Sequence, residues 1–346
     1  MDSASAVPAP DLLRALAGEA VHPAPIWFMR QAGRYLPEYR ELRKQAPTFL
    51  DFCYTPDLAV EATLQPMRRY AFDASIIFSD ILVIPHALGQ KVWFVEGEGP
   101  RLEPLTDPST LSRDGFAEHL APVYEAISRL RATLPPQKAV LGFCGAPWTL
   151  ATYMVAGKGG ADQWPTRTFA ARHADVFARL IDTLVDACAD HLIAQVNAGA
   201  DALQIFESWA SALDAPGFVR WSIEPTRRIV ERVKARHPNV PILGFPRGAG
   251  FGYEPFVDRA GVDGVSLDWT VTMDAAQRLQ QKVTVQGNLE PARLVAGGPQ
   301  MLDAVDTICA ALKDGPFVFN LGHGISLETP PDHVAEVIER VKEATG

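Results

Sequence analysis

Eight short apolar runs, each followed by a stretch of helical periodicity, constrain this chain more than any other feature. They fall at residues 26–28, 74–78, 139–143, 202–206, 240–245, 264–267, 283–286 and 317–320. Most are apolar at every position, as strands covered on both faces are, whereas half-exposed strands alternate. Between them, residues 56–70, 116–133, 166–198, 218–237, 273–281, 291–313 and 332–342 carry apolar side chains at three- and four-residue spacings, which predicts helices. Parallel strands need crossover connections, and eight of them close a ring. The pattern therefore predicts a single (β/α)8 barrel over residues 11–346, with residues 1–10 as a floppy tail. A doubly wound open sheet would place G-x-G-x-x-G after its first strand with an acid about 20 residues on. The nearest match, RGAGFG at 247–252, follows the fifth run and opens no long helix.

In such a barrel the chemistry sits at the C-terminal rim, and the residues following the runs are polar. They include Arg30 and Arg34 after the first, Asp80 after the second, Ser208 after the fourth, Arg247 after the fifth and His323 after the eighth. The segment PIWFMRQAGRYLPEYRELRK holds five cations against Glu38 and Glu41, although the whole chain carries a net charge of −9. That acidic balance argues against a nucleic-acid or membrane-surface partner, so an anionic substrate must meet a local basic pocket. Arginine binds carboxylate as a planar fork, and Gly33 allows close backbone approach. The bland alternative is a solvated basic turn.

Asp80 lies between the apolar stretches IIFS and ILVIP, where an unpaired charge is costly; it reads as a site carboxylate, or else as a helix N-cap or a structural salt-bridge partner. His323, in G-H-G, reads as a site residue or a loop histidine, and Tyr153 in WTLATYM as ligand or core. Phe143, Phe206 and Phe251 either line a pocket or fill the barrel. The cysteines, Cys53, Cys144, Cys188 and Cys309, are far apart, with no metal-type spacing, and read as reduced thiols of a cytoplasmic protein. No export signal and no charge-free stretch of membrane length is evident.

Taken together, PIWFMRQAGRYLPEYR at 25–40 and GFCGAPWTLATYMVAGKG at 142–159 closely resemble the uroporphyrinogen decarboxylase family. FSDILVIPHALG, QIFESWA, GFPRGAG, VSLDWT, VQGNLEP and FNLGHGI follow in the family's order. The resemblance implies a (β/α)8 barrel, a homodimer with facing clefts, and no metal or organic cofactor. It implies removal of carbon dioxide from the four acetate side chains of uroporphyrinogen III, giving coproporphyrinogen III. Carried over by residue, it assigns Arg30, Gln31, Ala32, Gly33 and Arg34 to substrate carboxylates and backbone contacts, with Arg43 as a further arginine. Asp80 faces the pyrrole N–H groups, and Tyr153, Ser208 and His323 complete the contacts, with Asp80 and Arg30 catalytic. Cys144, where Ala is more familiar, and Ser326 after GHGI depart from the pattern without touching an assigned role.

The chemistry agrees with this assignment. Decarboxylation needs an electron sink, which a pyrrole protonated at ring carbon supplies itself. An ionised Asp80 in an apolar cleft suits the developing cation, and the substrate's eight carboxylates suit a basic loop. The proton donor is open: guanidinium is badly matched to donate, leaving His323, Tyr153 or water. Two other classes compete. A zinc methyltransferase of the same barrel type would show H-x-C near the seventh strand, where Gln286-Gly287-Asn288 stands. A tetrapyrrole-binding protein without activity would bind and release no carbon dioxide.

Overall fold

The computed structural model describes residues 8–95, 97–160 and 162–346. Most of the expected tail, residues 1–7, lies outside the described residues. Seven parallel strands form one curled sheet: β1 (Ala74–Ile76), β4 (Ala139–Gly145), β5 (Ala202–Glu207), β6 (Ile242–Pro246), β7 (Gly264–Ser266), β8 (Thr284–Leu289) and β9 (Phe317–Leu321), in that order. They correspond to seven of the eight apolar runs. The remaining strands, β2 (Val92–Val95) and β3 (Gly99–Leu102), make a separate antiparallel hairpin that apolar patterning did not reveal.

The run at 26–28 is not a strand. Ile26 makes a single parallel bridge to Phe319, with Phe319 N–H donating to Pro25 O at 2.9 Å. On its other side Asp73 N–H donates to Ile26 O, also at 2.9 Å, while the Asp73 carboxylate accepts from Ile26 N–H. The segment thus lies between β9 and β1. Pro23 and Pro25 immediately precede it and have no N–H for a ladder, and Ile26 N–H is spent on the Asp73 carboxylate, so pairing stops at a bridge.

Two expected helices are each split. The one at 166–198 breaks at His173, whose backbone (φ −130°, ψ 52°) is not helical, into Trp164–Arg172 and Ala174–Asn197. The one at 291–313 breaks at Gly297 and Gly298, both at positive φ, into Pro291–Ala296 and Pro299–Leu312.

Helices cover the outer face of the sheet, and their apolar faces join its outward side chains in the larger core. A second core fills the inside: Trp27, Ala74, Leu141, Phe206, Leu243 and Val318 converge there, closed at the N-terminal end by Leu12, Ala15 and Leu16 of helix Asp11–Leu16. One polar knot interrupts it. Trp27 Nε1 donates to Gln286 Oε1 at 2.7 Å, and Gln286 and Gln204 both donate to Ser266 Oγ, so the buried amides satisfy each other. With the inside plugged from below, a ligand can enter only at the C-terminal ends of the strands.

Candidate active site

A cleft of about 1510 Å³ opens at those ends. Arg30, Ala32, Gly33, Arg34, Arg43, Asp80, Tyr153, Ser208 and His323 all line it, so the structure brings together nine of the ten residues expected from the sequence. Gln31 is absent from the lining. It is 1% exposed; its Oε1 accepts from Phe28 N–H at 3.0 Å and its Nε2 donates to Ala74 O at 3.1 Å. Its side chain thereby ties the bridging segment to β1 beneath the cleft.

The first rim loop is held in an unusual backbone conformation. Arg30 has φ 63°, a left-handed value that costs a non-glycine residue about a kilocalorie per mole or more. It is retained because the loop is pinned on both sides: Gln31 N–H donates to Phe28 O, and Ile325 N–H, from the GHGI turn, donates to Met29 O at 2.9 Å. The Arg30 side chain then runs directly over Gly324, where a Cβ would stand 2.5 Å from Arg30 Cδ. Glycine at 324 is what lets that arginine lie across the mouth.

The acids of the basic segment are already engaged. Glu38 takes a forked pair from Arg69 at 2.8 and 3.0 Å, and Glu41 pairs with Lys44. Arg40 donates to Arg34 O at 3.0 Å, and Arg43 donates to Ala46 O at 2.7 Å beside the rings of Phe49 and Phe52. Among the described residues, the Arg30 and Arg34 guanidinium groups have neither a carboxylate nor a carbonyl partner. Two free forks therefore face the cleft of an otherwise acidic protein.

Asp80 follows β1 on the turn into helix Val83–Ala87. Its Oδ1 accepts from Leu82 N–H at 2.8 Å, a local turn bond; the N-cap of the helix is Leu82, so Asp80 is not the helix cap expected as the bland alternative. Oδ2 has no partner among the described residues and is left for the cleft. Burial raises its pKa, opposed by the Leu82 amide and the Arg30 cation. Tyr153, on helix Pro147–Ala156, leans against Trp209 with ring centroids 6.3 Å apart; burial and the Asp80 charge raise its phenol pKa.

His323 is neutral at pH 7, because burial and then the Arg30 and Arg247 cations push it down to about 3. Its Nδ1 is buried without a partner among the described residues. An imidazole so disfavoured as a cation is poorly suited to act as a proton donor.

The cleft walls are apolar. Phe143 and Phe206 meet edge to face at 5.7 Å and line it with Phe78. Phe251 does neither of the things expected of it: it is fully exposed on the short turn Gly250–Gly252. Sequence reasoning assigned no role to Arg247 and Trp209, both in the lining, although both lie within three residues of an apolar run at the rim. Among the described residues, no group of three or more His, Cys, Asp or Glu side chains is placed to hold a metal ion. All four cysteines are buried free thiols.

Desolvated carboxylate, free guanidinium forks and aromatic walls suit a large ligand with anionic groups and apolar surface. Known proteins point the same way. The family model described as uroporphyrinogen decarboxylase matches residues 8–344. Curated relatives called uroporphyrinogen decarboxylase include that of Chelativorans sp., 55% identical over 334 residues, 96% of this chain and 98% of the relative. Those of Mesorhizobium japonicum and Brucella anthropi are 54% and 53% identical, again over 96% of this chain and 98% of their own. Among solved structures, a methyltransferase from Methanosarcina mazei superposes with a TM-score of 0.78 over 96% of this chain and 97% of its own. At 19% identity that is a likeness of fold.

Proposed function

The chain belongs to the uroporphyrinogen decarboxylase family, and from that premise we propose that it converts uroporphyrinogen III to coproporphyrinogen III at the cleft of Asp80, Arg30 and Arg34. The observation that carries this reading is the unpaired Oδ2 of a desolvated Asp80 facing a cleft whose free cations are arginines. Arg30, Arg34 and Arg43 engage substrate carboxylates, Ala32 and Gly33 offer close backbone approach, and Tyr153, Ser208 and His323 fix the macrocycle's orientation.

In each round a pyrrole takes a proton at ring carbon and becomes a cation. The bond to the carboxylate breaks, carbon dioxide leaves, and its electron pair flows into the ring, neutralising it. A proton then delivered to the exocyclic carbon makes the methyl group, and the ring carbon releases the proton it first took up, which restores the aromatic pyrrole, so each round consumes one proton overall. Asp80 stabilises the cation because its charge is fixed and poorly solvated, so no solvent has to reorganise. Its pyrrole N–H contacts need the unpaired Oδ2. With His323 neutral and the Tyr153 phenol made less acidic by burial, neither side chain is matched to donate directly, so a bound water is the better donor and His323 serves as a hydrogen-bond partner. Neither metal nor organic cofactor enters this scheme, since the substrate is its own electron sink.

We also read residues 11–346 as one domain, a (β/α)8 barrel in which the bridge at Ile26 stands for the first strand. We further read the assembly as a cytoplasmic homodimer. No helix among the described residues is long and apolar enough to cross a membrane, and the net charge of −9 gives nucleic acid no attraction.

The test is anaerobic incubation with enzymatically generated uroporphyrinogen, with and without a strong chelator, separating products by carboxyl number from eight to four. Stepwise loss of four carboxyls at the same rate in both arms is expected. Tight binding without carbon dioxide release would make this a tetrapyrrole carrier; activity lost to the chelator and restored by zinc would revive metal chemistry.

A further inference from the structure

The substrate's carboxylates radiate from a ring in every direction, whereas Arg30, Arg34 and Arg43 all belong to one rim segment. Across the sheet, β6 is three strands along from β1 and ends at Pro246, and the next residue, Arg247, also lines the cleft. We infer that Arg247 is a further carboxylate-binding residue, taking a peripheral carboxylate of the tetrapyrrole on the side of the mouth away from the first rim loop. This rests on the functional reading above.

Four observations place a free cation there. Arg247 N–H donates to Glu207 O and to Phe245 O, each at 3.0 Å, which fixes the residue at the strand end. The next residue, Gly248, has φ 75°, and its N–H donates to Asp268 Oδ2 at 2.6 Å. The guanidinium carbon lies 5.3 Å from the centroid of Trp269, a cation–π contact that orients the group. Its Nε is buried without a hydrogen-bond partner among the described residues.

The nearest candidate for a structural partner is Asp268, and its oxygens are taken. Oδ2 accepts from Gly248 N–H and from the Tyr253 hydroxyl at 2.8 Å, and Oδ1 from the amide and hydroxyl of Thr270. Asp268 therefore braces the turn that carries Arg247 and forms no ion pair with it among the described residues. Arg30, Arg247 and His323 line the same cleft. A carboxylate arriving there meets Arg247 and a neutral His323 with no protein anion to displace.

The test is steady-state kinetics on uroporphyrinogen for wild type, Arg247→Lys, Arg247→Gln and Arg247→Ala, each with a melting temperature. Losing one charge-assisted pair raises KM on the order of 10- to 100-fold in the Ala and Gln variants, with kcat changed far less. Lys, a point charge without the fork, recovers part of the loss. KM within about twofold of wild type in all three variants overturns the assignment, as does a loss confined to kcat. Collapse of the melting temperature in all three, Lys included, makes Arg247 a structural residue and also overturns it. Wild type that decarboxylates nothing is a separate result: it refutes the function, whatever the variants do.

Discussion

Replacing Asp80 with Asn separates the two roles that its two oxygens play. The side-chain carbonyl of Asn can still accept from Leu82 N–H, and Asn makes such local turn bonds about as well as Asp, so the turn into Val83–Ala87 should form. What disappears is the charge. A unit charge about 4 Å from a cation is worth about 4 kcal/mol at an effective dielectric of about 20. Spreading the cation over a pyrrole and keeping the Asn dipole leaves roughly 3 kcal/mol, or about 10²-fold in kcat. The assay is carbon dioxide release measured separately for each of the four steps, since each acetate must visit the same carboxylate; the loss should be similar in all.

Stability should move the other way or not at all. Burial raises the Asp80 pKa in the folded state, so between the unfolded and folded values the native protein binds the extra proton. Stability from this group is then lost as pH rises through that window, and Asn removes the loss. Asp80→Asn should melt no lower than wild type at neutral pH. Asp80→Glu keeps the charge but moves it by a methylene, and should fall between. An Asn variant that turns over within about twofold of wild type would reduce Asp80 to a turn residue and refute the electrostatic argument.

Arg34→Ala should lower kcat/KM by roughly 10- to 150-fold, since its fork is free for substrate, while Arg40→Ala, which loses one exposed bond to Arg34 O, should cost little; equal losses would mean a diffuse basic patch. Gly324→Ala places a Cβ 2.5 Å from Arg30 Cδ and should displace that arginine, lowering kcat/KM while the fold melts within a few degrees of wild type; unchanged kinetics would remove Arg30 from the mouth. Glu207, 1% exposed, is pushed up to about 8 by burial, so it is mostly protonated at pH 7. Its contribution to stability is complete below the ordinary carboxylate pKa and declines as pH rises toward about 8. Glu207→Gln should therefore flatten melting temperature against pH over that window, and an unaltered profile would show that Glu207 is ionised in the fold.

Apolar continuity located the seven strands of the sheet because burial on both faces writes itself directly into composition. It failed at 26–28, where the preceding Pro25 has no N–H and Ile26 N–H is spent on Asp73, and at the hairpin of β2 and β3, where the apolar run VWFV was passed over: it pairs only with the mixed, partly exposed GPRL and lies outside the sheet. Arg30, Arg34, Asp80, Ser208 and His323 were legible as polar groups following apolar runs and Arg43 as part of the basic segment, whereas Ala32, Gly33 and Tyr153 took their roles from the family resemblance. Gln31 was not separable from its neighbours, because a buried amide spent on Phe28 N–H and Ala74 O looks in sequence like one offered to a ligand. Arg247 was visible at the rim yet passed over, since its freedom depends on Asp268 being engaged elsewhere, a fact of packing. The state of His323 likewise depends on two arginines distant in sequence.

The most direct measurement of the central claim is the structure of the protein with coproporphyrinogen bound under anaerobic conditions. The account predicts the macrocycle against Phe143 and Phe206, pyrrole N–H groups within hydrogen-bond distance of Asp80 Oδ2, and carboxylates on Arg34 and Arg30. A tetrapyrrole bound elsewhere, or in the cleft with Asp80 still engaged only by Leu82, would contradict it.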